Sequence, residues 1–315
     1  MGSVVVEKLL DAGHVVSIID NLQQGHRQAV LPSAKLIVGD FRDVALLDSV
    51  FADGQFGAVM HMAAITLVEY SMSDPQRYFD NNLSGGLVLL NTMLKHEVKK
   101  LIFSSTASVY GEPQAETIWE EHPKVPVNSY GESKLMFEGV LRWYARAYAL
   151  EYISFRYFCA AGATQLLGED HDPETHLIPN VLLKSLRPGR QLTVYGDDYP
   201  TPDGSCIRDF VHVSDIADAH VLALGRLDKL TGNAFNLGNS QGYSVLDVIR
   251  TAEKITGRKI PYQIGGRRAG DAIVLIAGSQ KARQQLGWQP QYPDLESMLE
   301  SAWQWFNQHP AGYER

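Results

Sequence analysis

The 315-residue sequence has only two cysteines, no excess of basic residues and no long apolar run. Two cysteines, Cys159 and Cys206, are too few for a disulfide framework, and we expect neither to be in a disulfide. A net charge of -8 leaves no basic stripe for a nucleic-acid backbone. No stretch has the length of a membrane span or the blocks of a signal peptide. We therefore predict a cytoplasmic protein without a nucleic-acid or membrane partner.

The first half of the sequence alternates short β-branched runs with longer helical patterns. Strands are predicted at 15–20, 35–40, 58–64, 100–106 and 152–158, and helices at about 2–12, 43–52, 75–96 and 130–149. Strands that alternate with helices form a parallel sheet covered on both faces. We predict an α/β fold with a doubly wound, Rossmann-type sheet over residues 1–158.

After Phe158 the sequence becomes rich in Gly, Pro, His and Asp, and long stretches are typical of loops. Loops of this length usually bind ligands. We predict a smaller C-terminal α/β substrate domain made of residues 159–208 and 241–315. Residues 209–240 are predicted to return to the first domain as a helix and a strand.

Two acidic residues, Asp20 and Asp40, end predicted strands at the edge where doubly wound sheets bind nucleotides. Asp20 lies 18 residues after Gly2, near the spacing at which a carboxylate accepts ribose hydroxyls of a dinucleotide. No basic residue follows Asp20 immediately, which favours NAD over NADP. A solvated turn residue is the alternative interpretation of a single aspartate at a strand end.

The glycine fingerprint of a dinucleotide site is incomplete in this sequence. Such a site requires a first strand and three glycines, which hold the pyrophosphate at a helix N-terminus. Only Gly2, in the position of the third glycine, is present. Either the sequence is shorter than the natural protein, or the sheet has a central gap and a damaged phosphate site. We favour the first explanation, because a missing middle strand leaves unpaired backbone on both flanking strands.

The strongest local signal is the stretch NSYGESKLM at 128–136. Ser129 and Glu132 match an S-x-x-E capping box, which places Tyr130 in the first turn of a helix and Lys134 on the same face. A tyrosine that acts as a base near neutrality needs its pKa lowered by about three units. We expect the Lys134 ammonium and the helix N-terminus to lower it. The alternative is a tyrosine and a lysine that merely decorate an amphipathic helix.

The stretch FSSTASVYG at 103–111 follows a predicted strand and places hydroxyl groups at its carboxyl end. Such hydroxyls are positioned to hydrogen-bond a reacting alcohol oxygen. A positioned hydroxyl, a base and an adjacent nicotinamide are what hydride transfer at an alcohol requires. No residues are assigned to a metal site.

Stretches along the whole chain resemble the UDP-glucose 4-epimerases of the extended short-chain dehydrogenase/reductase family. They are IIDNL, GDFRD, HMAA, YFDNNLSGG, FSSTASVYGE, NSYGESKLM, FRYF, AAGA, HLIPN, YGDDYPTPDGSCIRDFVHVSDIADAH, FNLGN and RRAGD. The resemblance implies an isomerase that oxidises the sugar of a UDP-hexose transiently at C4 with bound NAD and returns the hydride to the opposite face. It also implies a homodimer joined through the helices at about 75–96 and 130–149.

The resemblance implies roles for individual residues. Tyr130 is the base at the sugar 4-hydroxyl, Lys134 holds the nicotinamide ribose, and Thr106 hydrogen-bonds the reacting oxygen. With Gly2 from the incomplete fingerprint, the residues expected to bind NAD are Gly2, Asp20, Asn21, Asp40, Phe41, Ala63, Asn81, Lys134 and Tyr157. The residues expected to bind the UDP-hexose are Cys159, His176, Leu177, Thr193, Tyr195, Arg208, Arg268, Asp271 and Leu275.

Three of these positions depart from the family pattern or leave it open. Cys159 stands where asparagine is frequent, and we prefer a packed thiol there. His176 replaces an amide residue, and a structural histidine is the alternative. Leu275 has intermediate bulk at a position that limits N-acetyl groups on the hexose, so UDP-N-acetylhexosamine 4-epimerase activity stays an alternative.

Two further functions are alternatives on the same fold. A nucleotide-sugar dehydratase carries an Asp–Glu pair after the strand-end threonine, where this sequence has Ala107 and Ser108. A non-catalytic NAD-binding regulator tends to lose the tyrosine or the lysine, whereas this sequence has both. We therefore predict a UDP-glucose 4-epimerase activity over either alternative.

Overall fold

A computed structural model describes residues 1–187, 189, 191–268 and 272–313 as an α/β protein. The strands are β1 (Ser17–Asp20), β2 (Lys35–Val38), β3 (Val59–His61), β4 (Lys100–Thr106), β5 (Thr117–Ile118), β6 (Glu151–Tyr157), β7 (Cys159–Ala161), β8 (Thr193–Tyr195), β9 (Ile207–Arg208), β10 (Phe210–His212), β11 (Asn233–Leu237), β12 (Tyr243–Ser244), β13 (Gln263–Gly265) and β14 (Val274–Ala277). The α-helices are α1 (Gly2–Asp11), α2 (Val44–Asp53), α3 (Val68–Ser71), α4 (Pro75–Tyr78), α5 (Gly85–Lys95), α6 (Ser129–Tyr148), α7 (Leu177–Leu186), α8 (Val213–Leu224), α9 (Leu227–Leu230), α10 (Val245–Thr256) and α11 (Leu295–Gln308). The predicted α/β fold is confirmed.

The main sheet has the strand order β3–β4–β6–β11, and all of its pairs are parallel. The residues from Leu101 to Thr106 in β4 are buried, as expected for a strand covered on both faces. The predicted strand at 100–106 is therefore confirmed. At the carboxyl end of this sheet, Thr106 is the register partner of Tyr157 in β6.

Strands β1 and β2 form a separate parallel pair. Within the described ranges no strand joins this pair to β3, as expected from a sequence that lacks the first strand of the Rossmann-type sheet. Ile18 and Ile19 on one side and Val59 and Met60 on the other line the same cavity. This space lies next to α1, at the place that the first strand and the first two glycines of the fingerprint would take.

Helix α6, which carries the candidate catalytic pair, has its N-cap at Asn128. The Asn128 carbonyl oxygen Oδ1 accepts the N–H of Gly131 at 2.8 Å. The predicted capping box of Ser129 and Glu132 is therefore wrong, because the Ser129 hydroxyl donates to the backbone carbonyl of Ser71 instead. The N-cap is therefore Asn128 and not the predicted Ser129, and Tyr130 still lies in the first turn of the helix.

The helix expected over 75–96 is interrupted. Between α4 and α5 the backbone forms a π-helical segment, Phe79–Ser84. Its residues Asn81 and Asn82 are buried, and the Asn82 side chain donates a hydrogen bond to Ser133 of α6. Irregular helical turns of this kind are frequent at functional sites. No helix in the described part of the chain is both long and apolar enough to cross a membrane.

The second half of the chain forms small sheets around the open side of the main sheet. Their strand orders are β12–β9–β14–β5, β7–β10 and β8–β13. Strand β11 pairs in parallel with β6 of the main sheet. Helices α7, α10 and α11 share a core that includes Leu182, Val248, Met298 and Trp305. Residues of β8, β9 and α7 line the same cavity as Thr106 at the carboxyl end of β4.

Candidate functional site

A cavity of about 1870 Å³ extends from the gap between β1 and β3 to the carboxyl ends of β4 and β6. Part of this volume is the gap in the sheet itself, which apolar residues such as Val4, Val5 and Leu47 line. It is lined by the predicted site residues Gly2, Asp20, Asn21, Phe41, Ala63, Asn81, Thr106, Tyr130, Tyr157, Cys159, His176, Leu177, Thr193, Tyr195, Arg208, Arg268 and Leu275. Asp40 and Lys134 are not among the lining residues. Asp271 lies outside the described residues.

Tyr130 and Lys134 lie one turn apart on α6, and both are buried, with exposures of 8% and 2%. The Lys134 ammonium donates a hydrogen bond to the backbone carbonyl of Ser104 in β4, at 2.8 Å. Burial lowers the pKa of Lys134 to about 7. The lysine therefore links α6 to β4 directly behind the cavity wall.

The pKa of Tyr130 differs from the sequence-based expectation. Burial raises the pKa of Tyr130 to about 12, and a hydrogen bond with Thr106 acts in the opposite direction. The predicted lowering of the pKa is therefore wrong for this arrangement. The reason is that the Lys134 ammonium is directed to the carbonyl of Ser104, while the phenol is enclosed by the protein.

A glycine that the sequence analysis did not single out allows α6 to approach the end of β4. A Cβ atom at Gly131 would lie 2.5 Å from the carbonyl oxygen of Ser108. Ser108 belongs to the 3-10 turn that follows β4, and its N–H donates to Thr106 Oγ1 at 3.1 Å. The close approach places Tyr130 near Thr106, whose hydroxyl acts to lower the pKa of Tyr130. In the sequence, the signal for this close approach is the glycine directly after Tyr130.

A pair of neighbouring amides connects α6 to the loop after β3. The side chain of Asn82 accepts the N–H of Ile65 at 2.9 Å and donates to the Ile65 carbonyl at 3.1 Å. It also donates to the Ser133 hydroxyl at 3.1 Å. Asn81 donates to the Asn82 side chain at 3.0 Å. Asn82 and Ser133 thus fix the position of the predicted NAD-binding residue Ala63 and its loop relative to α6.

At the opposite end of the cavity, β1 ends in a tight turn that positions Asp20. The Asp20 carboxylate accepts the N–H of Leu22 at 2.7 Å, and Leu22 has a positive φ of 55°. A Cβ atom at Gly25 would lie 2.9 Å from both carboxylate oxygens, so a glycine there leaves room for the carboxylate. Asp20 and Asn21 line the cavity from this turn.

The Asp40 carboxylate is hydrogen-bonded to Arg42, two residues later in the chain. Arg42 donates to Asp40 from Nε at 2.9 Å and from Nη2 at 2.7 Å. These bonds hold the pKa of the Asp40 carboxyl at about 2. Arg42 is a basic residue near the predicted adenosine site, but its charge is matched by Asp40. Phe41, the residue between these two in the sequence, lines the cavity. The centre of its ring lies 5.2 Å from that of His61.

Tyr157 closes the floor of the site at the end of β6. Its hydroxyl lies 3.0 Å from the Ser104 hydroxyl and 2.8 Å from Nε2 of His220 in α8. His220 in turn bonds to the carbonyl of Ile216 through Nδ1, at 2.8 Å. The tyrosine is thereby held rigidly, and the histidine that holds it was not identified from the sequence.

The predicted UDP-hexose residues come from several elements of the second half. The Arg268 guanidinium lies over the ring of Tyr195 at 4.6 Å, and Arg208 donates to the Ile207 carbonyl at 2.9 Å. Two arginines at one cavity wall suit a pyrophosphate. Leu177 is the first residue of α7. Thr193 belongs to β8.

The three positions that depart from the family pattern or leave it open lie on the same wall. Cys159 packs partly buried against the core of α7, α10 and α11, and it forms no disulfide with Cys206. Leu275 lies in β14 and faces the cavity. His176 is the N-cap residue of α7, and its Nδ1 contacts Glu169.

The sequence and the fold both have known relatives. The sequence model of the NAD dependent epimerase/dehydratase family matches residues 1–238. The chain is 48% identical to a UDP-glucose 4-epimerase of Lacticaseibacillus casei over 318 aligned residues, which cover 99% of this chain and 96% of the relative.

Two crystal structures show the same fold. One, of a UDP-glucose 4-epimerase, is 47% identical with a TM-score of 0.96 and covers 100% of this chain and 96% of its own. The other, UDP-glucose 4-epimerase from Bifidobacterium longum in complex with NAD+ and UDP, is 39% identical with a TM-score of 0.94. Its match covers 99% of this chain and 96% of that chain.

Proposed function

Because this chain belongs to the NAD dependent epimerase/dehydratase family, we propose that its cavity carries out the 4-epimerisation of UDP-glucose with the residues assigned below. The protein is an isomerase of UDP-glucose that uses NAD as its cofactor. The observation that supports the assignment is that Tyr130 and Thr106 line one cavity at the carboxyl end of β4, close enough that Thr106 opposes the raised pKa of Tyr130.

The residues at the β1 end of the cavity fit NAD. When bound, NAD supplies a reversible hydride acceptor at the sugar C4, and its positive charge favours a neighbouring phenolate. The Asp20 carboxylate suits ribose hydroxyls, and Asn21 and Phe41 flank it on the same wall. At the other end, Lys134 lies behind the cavity wall, where one of its three donors is bound to Ser104. We assign the other two donors to a second ribose.

Tyr130 and Thr106 are assigned to the reacting oxygen of the sugar. Tyr130 removes the proton from the 4-hydroxyl as C4 loses its hydride, and it returns that proton when C4 regains the hydride. Tyr130 must be ionised before it can accept that proton. Burial raises its pKa to about 12, and the positive charge of bound NAD would act in the opposite direction. Thr106 hydrogen-bonds the same oxygen, so the proton transfer takes place over a fixed distance.

The second half of the chain is assigned to the nucleotide. Epimerisation requires the 4-keto hexose to turn over, so the protein must hold the UDP firmly and the hexose loosely. Arg208 and Arg268 provide the charge for the pyrophosphate, while Tyr195 supports Arg268 from below. The hexose side is bordered by Leu275.

The domain assignment and the assembly are part of this proposal. Residues 1–158 with 209–240 form the NAD-binding domain, and residues 159–208 with 241–315 form the substrate domain. The parallel pairing of β11 with β6 supports the return of the segment 209–240 to the first domain. A homodimer and a cytoplasmic location complete the proposal.

The test is an assay of the full chain with UDP-galactose and NAD. We expect UDP-glucose as the product, without net reduction of NAD, because the hydride returns to the same sugar. A 4-keto-6-deoxy product would identify a dehydratase, and bound NAD without turnover would identify a regulator. UDP-N-acetylgalactosamine in a parallel reaction tests whether Leu275 admits an N-acetyl group.

A further inference from the structure

The loop between β7 and α7 brings together four side chains that are common metal ligands. These are Glu169, His171, Glu174 and His176, and one ligand atom from each lies within 4.8 Å of all the others. Within the chain they form the pattern Glu-x-His-x-x-Glu-x-His. A short loop that carries all four ligands keeps them together without help from distant segments.

The distances in this cluster fit a tetrahedral site. His171 Nδ1 lies 3.2 Å from Glu169 Oε1 and 3.7 Å from Glu174 Oε2. His176 Nδ1 contacts Glu169 Oε1 and lies 3.6 Å from Glu174 Oε1. Metal–ligand bonds of about 2.1 Å in a tetrahedron separate ligand atoms by about 3.4 Å. Small side-chain movements therefore suffice to place one ion at the centre.

One ring nitrogen in the cluster is buried without a hydrogen bond. His171 Nδ1 has no hydrogen-bond partner in the described part of the chain, although the Glu169 carboxylate is only 3.2 Å away. A buried polar atom without a partner is rare and calls for an explanation. An ion between the imidazole and the carboxylate would give His171 Nδ1 a partner, while Glu169 already contacts His176.

The donor set indicates the class of ion. Once the incoming ion has displaced one proton from each imidazole, the two carboxylates balance the charge of a divalent cation. The side chain of Glu174 is only 4% exposed. Imidazole nitrogen favours first-row transition metals and zinc over magnesium and calcium, which prefer oxygen ligands alone. His176 is 48% exposed, so an ion reaches the site from solvent.

We propose that Glu169, His171, Glu174 and His176 bind one divalent metal ion of the zinc class. This site is additional to the residues assigned to NAD and the UDP-hexose, except for His176, and no metal ligands were expected from the sequence. His176 is also the N-cap residue of α7, and Leu177 follows it at the cavity wall. The ion fixes this loop against α7 and has no part in the hydride transfer.

The test is metal binding by the full chain after dialysis against a chelator. Titration with Co²⁺ should give one ion per chain with the strong visible bands of a four-coordinate site, and Zn²⁺ should displace it. His171→Ala and His176→Ala should each weaken binding by more than about 100-fold, because even the outer partners of metal ligands cost about 10–100-fold. His14→Ala, at an exposed histidine, should bind Co²⁺ like the unmodified chain.

Equal affinity in the unmodified chain and in His176→Ala would overturn the proposal, as would a six-coordinate Co²⁺ spectrum. His176 is half-exposed, so we expect His176→Ala to fold. This variant keeps the test valid even if His171→Ala does not fold. The readout is metal binding rather than turnover. If no metal binds, the epimerase assignment is therefore unaffected. If the epimerase assay shows no turnover, metal binding can still be measured.

Discussion

Lys134 is the residue at which stability and function conflict most directly. Its side chain is 2% exposed, and burial lowers the pKa of its ammonium from 10.5 to about 7. Tyr130, one turn away, has its pKa raised to about 12 for the same reason, because burial disfavours the charged form of either group. Near neutrality this burial costs stability only for Lys134, because the phenol of Tyr130 is neutral in the folded and the unfolded state alike.

We expect Lys134→Met to stabilise the protein near neutrality while abolishing turnover. The folded-state pKa lies below the unfolded value, so the stability linked to this group is complete above pH 10.5 and is lost as the pH falls toward 7. The variant should gain on the order of 4 kcal/mol in unfolding free energy at pH 7 and about 1 kcal/mol at pH 9.5.

Denaturant unfolding at the two pH values measures this difference. Lys95→Met is the matched control, because Lys95 is 63% exposed and pairs with Asp48 at the surface. That variant should change stability by less than about 1 kcal/mol at either pH. A gain for Lys134→Met that does not depend on pH would show that the lysine is not held with a lowered pKa.

Among the elements, α6 has the greatest influence on the site, and its first turn is fixed by a single cap. Asn128 accepts the Gly131 N–H, and Gly131 in turn lets the helix approach Ser108. The position of Tyr130 relative to Thr106 therefore depends on where the helix begins.

Asn128→Ala should reduce the unfolding free energy by about 1–2 kcal/mol, because one buried N–H at the start of α6 loses its acceptor. Asn128→Asp retains an acceptor at the same position and should lose much less. Thermal or denaturant unfolding of the two variants gives the comparison. An equal loss in both would indicate that the cap is not the reason for the destabilisation.

The elements predicted best from the sequence are the strands that are buried on both faces. The strand at 100–106 is found at the predicted residues, since its apolar run is unmistakable. The cap of α6 was misplaced because Asn128 and Ser129 are both good N-cap residues, and only the distant Ser71 carbonyl distinguishes them. The break at Phe79–Ser84 leaves the helical pattern almost unchanged, so the pattern does not reveal it.

For the same physical reasons, one part of the site could be predicted from the sequence and another part could not. Tyr130 and Lys134 are four residues apart on one helix, so their proximity follows from the helical repeat. The direction of the Tyr130 pKa depends on burial, which no local pattern gives. Contacts such as His220 with Tyr157 join residues 63 positions apart and require the folded chain.

For the molecule as a whole, one buried carboxylate ties three segments together. Asp209, between β9 and β10, accepts the N–H groups of Asn239, Ser240 and Ala277 at 2.9, 2.9 and 3.0 Å. Asp209→Ala should lower the unfolding free energy by at least about 3 kcal/mol, because each stranded buried donor costs about 1–3 kcal/mol. Asp228→Ala, at an exposed position, is the control. A loss in Asp209→Ala no larger than in the control, in denaturant unfolding, would contradict this account.

The proposed homodimer depends on an exposed apolar face of α6. Met136 and Trp143 are seven residues apart on that helix and are 45% and 61% exposed. The hydroxyl of Tyr144 donates to Asn91 of α5 at 2.8 Å, so the two helices form one surface. Trp143→Glu should give a folded monomer in analytical ultracentrifugation, whereas Tyr262→Glu, at a position 44% exposed, should not change the mass. A dimer that persists in Trp143→Glu would exclude this face.

The most direct test of the whole account is the turnover of Tyr130→Phe. Loss of the hydroxyl removes the group that takes and returns the 4-hydroxyl proton, so kcat should fall by about 10²–10⁴-fold with the fold unchanged. Tyr148→Phe, at an exposed position on the same helix, should keep full activity. Interconversion of UDP-galactose and UDP-glucose at an undiminished rate in Tyr130→Phe would contradict the assignment of Tyr130 as the acid and base of the reaction.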